Sequence, residues 1–288
     1  MDQNLTADSL IHARFMIPAS SGETIYCDAR FPGIEGDALP VIIFVHGFKG
    51  FKNWGSIPYI CESLARRGFY TIAMNFTHNG VEGHRQDFTR LDRFEANTFT
   101  REVEELYDAV SAVSNGLVPL AVRASERIGI IGHSRGGGIS LLEAADDPRV
   151  RAVAVWASVA SFHRFTERQI DIWRRDGFFE SKNMRTGQMM RLGAGLLADL
   201  ETNADQLNIT AAAERLGRPL LILHGEQDLS VRIEDGEEIA AHAQPELTEF
   251  VRIPTANHTF GAVHPFEGTN PILEDAISRT AGFFHRHL

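Results

Sequence analysis

The strongest constraint on this fold is the alternation of short apolar runs with longer helical patterns. Pro40–Val45 is a continuous apolar run, as expected of a strand buried on both faces of a sheet. Similar runs follow at Phe69–Met74, Arg127–Ile131, Val150–Trp156, Pro219–Leu223 and Glu249–Ile253. Amphipathic helical patterns lie between or after them, at Ile57–Arg66, Phe99–Val113, Gly136–Ala145, Ile233–Ala243 and Pro271–Phe284. This alternation predicts an α/β fold, with a mostly parallel sheet covered by helices on both faces.

Two regions depart from the alternation, one at residues 11–31 and one at about residues 160–213. Ile11–Ile17 and Thr24–Phe31 are strand-like and are joined by a turn signal, so they bring the expected number of strands to eight. No strand-like run occurs from about Ala160 to Ala213, where aromatic residues and methionines are scattered among charges. We therefore predict a core formed by residues 1–159 and 214–288, with residues 160–213 inserted as a helical cap.

Composition excludes several classes of protein. The 288 residues are 43% hydrophobic and 23% charged, which disfavours disordered and coiled-coil chains. Lys and Arg number 28 against 38 Asp and Glu, so the formal net charge is −10. An acidic protein repels nucleic acids and anionic membranes, although a local basic pocket still allows an anionic small substrate.

The chain has no apolar stretch long enough to cross a bilayer, and its first residues do not resemble a secretion signal. We therefore expect a cytoplasmic protein. Cys27 and Cys61 lie outside any redox or zinc motif, so two free, buried thiols are the favoured interpretation. No motif calls for a metal or an organic cofactor, and the sequence leaves open whether the chain forms a homodimer.

The most informative motif is Gly132-His133-Ser134-Arg135-Gly136, which fits G-x-S-x-G. An apolar run precedes it and a helical pattern follows it. A serine on such a strand–turn–helix connection has an exposed hydroxyl on a strained turn, which is typical of a nucleophile. The alternative is a serine that only caps the following helix. We predict that Ser134 is the nucleophile.

A serine hydroxyl needs a neighbouring base, and the base needs a group that orients it. Asp228 and His258 follow the last two strand-like runs, in the order serine, acid, histidine. Both are expected at the carboxyl ends of strands, where open α/β sheets bind ligands. Asp228 is therefore the predicted acid, with Glu226 as the alternative. His258 is the predicted base, with His264 and His242 as alternatives.

The loop His46-Gly47-Phe48-Lys49-Gly50 directly follows Pro40–Val45. Backbone N–H groups of Phe48 and Arg135 are the predicted donors to an oxyanion. The glycine permits close approach of the backbone, and the histidine is expected to bond to the loop backbone. The predicted substrate contacts are His46, Gly47, Lys49, His78, Trp156 and Phe162.

Taken together, His46-Gly47, Gly132–Gly136, Asp228 and His258 resemble the α/β-hydrolase superfamily, over roughly Pro40 to Leu288. The nearest resemblance is to dienelactone-hydrolase-like and prolyl-oligopeptidase-like serine esterases. It implies an eight-stranded sheet with the acid after the seventh strand and the histidine after the eighth. Dienelactone hydrolase itself uses a cysteine where this chain has serine. Prolyl-oligopeptidase relatives usually carry a propeller, which has no counterpart in these 288 residues.

The resemblance and the predicted triad together imply a serine hydrolase that cleaves small carboxylic esters through an acyl-enzyme. The same triad also serves amidases or peptidases, thioesterases and acyltransferases, so these remain alternatives. Haloalkane dehalogenases and epoxide hydrolases are disfavoured because they need an aspartate at position 134. A non-catalytic scaffold is disfavoured because no member of the triad is missing.

Overall fold

The computed structural model describes residues 9–33, 36, 38–120 and 123–288. Its strands are β1 (Leu10–Pro18), β2 (Thr24–Pro32), β3 (Leu39–Val45), β4 (Tyr70–Met74), β5 (Ala124–His133), β6 (Val150–Trp156), β7 (Phe178–Lys182), β8 (Met189–Gly193), β9 (Leu220–Gly225) and β10 (Thr248–Ile253). Over the described residues, eight of them form one sheet in the order β1-β2-β4-β3-β5-β6-β9-β10. Pairs β1–β2 and β2–β4 are antiparallel, and the remaining neighbours are parallel. The predicted mostly parallel, eight-stranded α/β fold is confirmed.

Helices cover both faces of this sheet. They are α1 (Ile57–Ala65), α2 (Leu91–Glu95), α3 (Phe99–Ser114), α4 (Arg135–Asp146), α5 (Glu167–Asp176), α6 (Ala194–Thr202), α7 (Ile209–Arg215), α8 (Ile233–His242) and α9 (Pro271–His287). Successive residues of β3 point into different cores, because Val41 and Ile43 join one apolar cluster while Ile42 and Phe44 join the other. Burial on both faces explains why this strand is a continuous apolar run.

The inserted segment between β6 and β9, which the sequence predicts as a helical cap without strands, contains strands as well as helices. Strands β7 and β8 form an antiparallel hairpin there, between α5 and α6. Each strand is only five residues long, and Glu180 and Lys182 alternate with aromatic and small residues. So short an alternation is hard to distinguish from a loop in the sequence. Met190 and Leu192 of the second strand are buried and belong to the larger apolar core.

Two smaller expectations can be compared with the structure. Cys27 and Cys61 are free and buried, as predicted. Among the described residues, no helix combines the length and the hydropathy that spanning a bilayer requires.

The loop after β9 packs directly on the loop after β10 at Gly225. A Cβ atom built on this glycine would overlap the carbonyl oxygen of Ala256 and lie 2.6 Å from its carbonyl carbon. The Gln227 N–H also donates to the Ala256 carbonyl oxygen, with a donor–acceptor distance of 3.0 Å. The residues that follow both strands therefore depend on a glycine at this position.

We expect Gly225→Ala to lower the free energy of unfolding by roughly 1–3 kcal/mol, because backbone atoms must move to admit the methyl group. Urea unfolding followed by circular dichroism measures this change. Gly195→Ala is the matched control, because no heavy atom lies within 4 Å of its added Cβ on helix α6. The control should be neutral or stabilising. Equal destabilisation of the two variants would contradict the close packing at Gly225.

Candidate active site

Ser134 occupies the sharp turn between β5 and α4. Its backbone has φ 58° and ψ −122°, a conformation that is costly for a residue with a side chain. The Ser134 N–H donates to the Trp156 carbonyl at 2.9 Å, and the Ser134 carbonyl accepts from the Gly137 N–H at 2.9 Å. The hydroxyl makes no capping bond to helix α4, so the interpretation as a simple helix cap is not supported.

His258 and Asp228 are hydrogen-bonded to each other. His258 Nδ1 lies 2.7 Å from Asp228 Oδ2. The other carboxylate oxygen, Oδ1, accepts the backbone N–H groups of Ser230 at 2.8 Å and Val231 at 2.9 Å. A neutral imidazole that donates from Nδ1 is unprotonated at Nε2, so that nitrogen is able to accept a proton.

The environment of Asp228 keeps it ionised. Burial by itself raises the pKa of this carboxyl group, but the His258 hydrogen bond and charge, with the Val231 and Ser230 N–H groups, outweigh it. The net result is a pKa below the ordinary value for aspartate. A carboxylate that is buried, charged and fully bonded holds the imidazole in one tautomer and one orientation.

The alternative acid and bases lie elsewhere. The Glu226 side chain is exposed, and its backbone N–H donates to the Ile253 carbonyl. His264 Nδ1 accepts the Gly55 N–H at 2.8 Å, and its ring stacks on Trp54. His242 is exposed on α8 and bonds to the Glu238 carbonyl at 2.8 Å.

Two further histidines lie close to Ser134 without serving as ready bases. Burial lowers the pKa of His46 to about 4, and its Nδ1 bonds to the Gly47 carbonyl at 2.9 Å. Burial, with the charge of His258, lowers the pKa of His133 to about 3. His133 Nε2 lies 2.9 Å from the His258 carbonyl oxygen. Both rings are therefore neutral near pH 7 and support the loops around them.

The loop after β3 lies against the serine. A Cβ atom on Gly47 would lie 2.8 Å from Ser134 Cβ and 3.4 Å from its Oγ, so only glycine permits this approach. Phe48 is the next residue and lines the same cavity as Ser134. Arg135 begins α4, where the first N–H groups have no intrahelical acceptor. These positions suit the two backbone donors predicted from the sequence.

The Arg135 side chain connects this loop to helix α3. Its guanidinium pairs with the buried Glu102 at 3.0 Å and lies over the Phe48 ring, 4.7 Å from the centroid. Asn97 Nδ2 donates to the same carboxylate at 2.7 Å. Glu102 was not predicted, because nothing in the helical pattern of α3 distinguishes a buried glutamate from an exposed one. The ion pair therefore holds the guanidinium that packs against the Phe48 ring.

Two cavities meet at Ser134. The apolar lobe has a volume of about 410 Å³ and is lined by Phe48, Phe99, Ser134, Arg135, Val159, Phe162, Arg164, Phe165, Leu192, Leu196, Ser230, Val231 and His258. The basic lobe has a volume of about 360 Å³ and is lined by His46, Gly47, Phe48, Lys49, Gly50, Trp54, Ile57, His133, Ser134, Lys182, Asn183, Met184, Arg185, Ser230, His258 and Thr259. Lys182 and Arg185 belong to the β7–β8 hairpin, and the sequence pattern gave no sign that they reach the site.

Two of the predicted substrate contacts are corrected by the structure. Trp156 packs in the core, where its Nε1 donates to Thr280 Oγ1 at 3.0 Å, and it lines neither lobe. His78 is bonded to Thr77 Oγ1 at 2.8 Å and also lies outside both lobes. Trp156 is the last residue of β6 and His78 follows β4, but neither side chain reaches the cavities at the serine. His46, Gly47 and Lys49 line the basic lobe, and Phe162 lines the apolar lobe.

The dienelactone hydrolase family model matches residues 29–172, half of the chain. This chain belongs to the dienelactone hydrolase family. The match contains Gly47, Phe48 and the Ser134 turn, and it ends before Asp228 and His258. The family match therefore covers the Ser134 turn and the loop beside it, whereas Asp228 and His258 are candidates on the geometry described above.

Curated relatives differ in length and in name. "Uncharacterized peptidase YuxL" of Bacillus subtilis is 26% identical over 81% of this chain and 33% of its own length. "Putative carboxymethylenebutenolidase" of Salmonella typhimurium is 26% identical over 89% of this chain and 81% of its own length. The chain thus spans about a third of the first of these relatives. A solved structure of the Pseudomonas aeruginosa protein PA2218 has a TM-score of 0.67 and 22% identity, and the match covers 99% of this chain and 96% of that one.

The Asp228–His258 bond is open to direct observation. We expect a strongly downfield proton resonance from His258 Nδ1–H, because its acceptor is a buried carboxylate. Asp228→Asn should abolish this resonance in a one-dimensional proton NMR spectrum, since the amide is a weaker acceptor. Glu226→Gln is the control, and it should leave the resonance in place. A resonance that survives Asp228→Asn but disappears in Glu226→Gln would reverse the assignment of the acid.

Proposed function

We propose that this protein is a serine hydrolase that cleaves carboxylic esters through an acyl-enzyme. The observation that carries the proposal is the convergence of Ser134 and the His258–Asp228 pair on one cleft. Serine hydroxyls become nucleophilic when such a pair removes the proton. The largely apolar lining of the first lobe supplies surroundings of low dielectric constant, in which hydrogen bonds to a developing oxyanion are strong.

In the proposed mechanism, His258 Nε2 takes the proton of Ser134 while Oγ attacks the ester carbonyl. Asp228 stabilises the imidazolium that forms. The carbonyl oxygen becomes an oxyanion, which accepts hydrogen bonds from the Phe48 and Arg135 N–H groups. The imidazolium then protonates the departing alcohol. Water, activated by the same histidine, attacks the acyl-enzyme and releases the carboxylic acid and the free serine.

Ester cleavage is favoured over the alternatives by the nature of the relatives. A butenolide is a cyclic ester, and the relative named for it is matched over most of its own length. Amide cleavage is the second candidate, because a relative of similar identity is named as a peptidase, although the match covers a third of it. The comparison of ester and amide substrates therefore decides between these two candidates.

Ser134→Ala should abolish covalent labelling by a fluorophosphonate probe and reduce ester turnover by about 10⁴-fold or more, because no other group replaces the nucleophile. Mass spectrometry of the labelled peptide measures the first effect, and hydrolysis of 4-nitrophenyl butyrate measures the second. Ser230→Ala is the matched control, because this second serine lines the same two lobes and holds Asp228 only through its backbone. Labelling that persists in Ser134→Ala would rule out this nucleophile.

The wild-type protein should hydrolyse a butyryl 4-nitrophenyl ester at least about 10³-fold faster, in kcat/KM, than the matched butyryl 4-nitroanilide. The 4-nitroanilide anion is a far poorer leaving group than 4-nitrophenolate, so the amide nitrogen must be protonated by a positioned acid as the C–N bond breaks. Steady-state kinetics on the two chromogenic substrates measures the ratio. Comparable rates on both substrates would favour the peptidase or amidase alternative.

A further inference from the structure

The two lobes that meet at Ser134 differ in how their positive charges are compensated. In the apolar lobe, Arg135 pairs with Glu102 at 3.0 Å and Arg164 pairs with Asp235 at 2.6 Å. Both arginines are therefore neutralised by the protein itself. An anionic substrate group in this lobe would have to compete with a carboxylate already in place.

The basic lobe has the opposite character. Lys49, Lys182 and Arg185 line it, and no aspartate or glutamate is among its lining residues in the described part of the chain. Among the residues that the structure describes, no carboxylate forms an ion pair with any of these three cations. Acidic residues outnumber basic ones by ten in this chain, so an uncompensated basic patch beside the nucleophile is contrary to its overall charge.

Lys49 is held at the wall of the basic lobe by two hydrogen bonds. Its Nζ donates to Ser181 Oγ at 2.8 Å and to the Lys182 carbonyl at 2.7 Å, which joins the loop after β3 to the β7–β8 hairpin. Both acceptors are neutral. Burial and the nearby charge of Arg135 lower the pKa of Lys49 to about 8, as expected of an ammonium without a carboxylate partner.

Arg185 also lines the basic lobe, and it lies on the turn between β7 and β8. Its guanidinium is about 6 Å from three aromatic rings, at 5.9 Å from Phe51, 6.0 Å from Trp54 and 5.9 Å from Phe88. Partial burial lowers its pKa, with no carboxylate acting in the other direction. Aromatic contacts hold a guanidinium in place while leaving its N–H groups available for a bidentate oxyanion.

The apolar lobe presents a flat aromatic surface, whereas the basic lobe presents positive charge. The Phe99 and Phe162 rings stack with centroids 4.1 Å apart and an interplanar angle of 10°. Leu192 and Leu196 line the same lobe from the inserted segment. Such a surface suits an aryl or alkyl group. Ser134, Phe48, Ser230 and His258 line both lobes, so a bond that is cleaved at the serine lies on the boundary between them.

We propose, on the basis of the function proposed above, that the substrate is an ester of two unlike parts. One part is aryl or alkyl and occupies the apolar lobe. The other part carries a carboxylate or phosphate group, which Lys49, Lys182 and Arg185 bind in the basic lobe. The β7–β8 hairpin thereby determines specificity, and Arg135 acts on Phe48 without binding the anion.

Matched substrates test this proposal. The butyrate esters of 4-hydroxyphenylacetate and 4-hydroxyphenylacetamide differ in charge, while the methylene group insulates the ester bond from the substituent. The butyrate ester of 4-hydroxybenzylphosphonate replaces the carboxylate by a phosphate-like group. Phenyl succinate and phenyl succinamate place the charge on the acyl side instead. We expect an anionic member to exceed its neutral partner about tenfold in kcat/KM in one of the two orientations, equivalent to about 1.4 kcal/mol.

The double variant Lys182→Gln/Arg185→Gln should bring this charge preference close to one. Arg191→Gln is the control on the same hairpin, because Arg191 pairs with Glu180, lies over the Phe178 ring and lines neither lobe. It should keep the wild-type preference. Added sodium chloride should also reduce the preference in the wild-type protein, because two of the three cations are exposed.

Several outcomes separate the two proposals. A preference for either the carboxylate or the phosphonate supports the basic lobe and identifies the group it takes. Equal rates for charged and neutral partners in both orientations would overturn the proposal, as would a preference unchanged in the double variant. If the wild-type protein cleaves none of the esters, neutral ones included, the proposed ester hydrolysis fails and the substrate proposal fails with it.

Discussion

The strained turn at Ser134 is the constraint on which the rest of the site depends. Its φ of 58° is held by backbone hydrogen bonds to Trp156 and Gly137. Strand β6 and the start of α4 therefore both stabilise this strained conformation. The turn places Ser134 at the carboxyl end of β5, on the same side of the sheet as the carboxyl ends of β3, β9 and β10. A parallel sheet thus brings residues from distant parts of the chain to one place without any of them having to be close in sequence.

The electrostatic arrangement around this turn leaves few groups free to act. Asp228 is ionised but fully bonded, and His46 and His133 have pKa values lowered to about 4 and 3 by burial. Arg135 is compensated by Glu102 and acts on Phe48 through its ring. His258 is consequently the imidazole beside Ser134 that is oriented by a carboxylate. Buried charges that are paired and buried imidazoles that are neutral avoid the cost of desolvated, unpaired ions.

The inserted segment gives the cleft its two unlike halves. Leu192 of β8 and Leu196 of α6 line the apolar lobe, whereas Lys182 and Arg185 line the basic lobe from the turn end of the β7–β8 hairpin. The bond from Lys49 to Ser181 joins this hairpin to the loop beside the serine. An insert of this kind can change the walls of the cleft without disturbing the strand ends that carry Ser134, Asp228 and His258.

The sequence by itself determined the eight strands of the main sheet, the helices α1, α3, α4, α8 and α9, and the candidate nucleophile, acid and base. Those features are local, because continuous apolar runs identify buried strands, and Ser134, Asp228 and His258 each lie within five residues after the end of one. Only the tertiary structure decided that Trp156 and His78 point away from the cleft, that a hairpin lies over it, and that Glu102 neutralises Arg135. The side on which a side chain emerges, and the charge that meets it there, depend on packing between segments far apart in the chain, which no local pattern records.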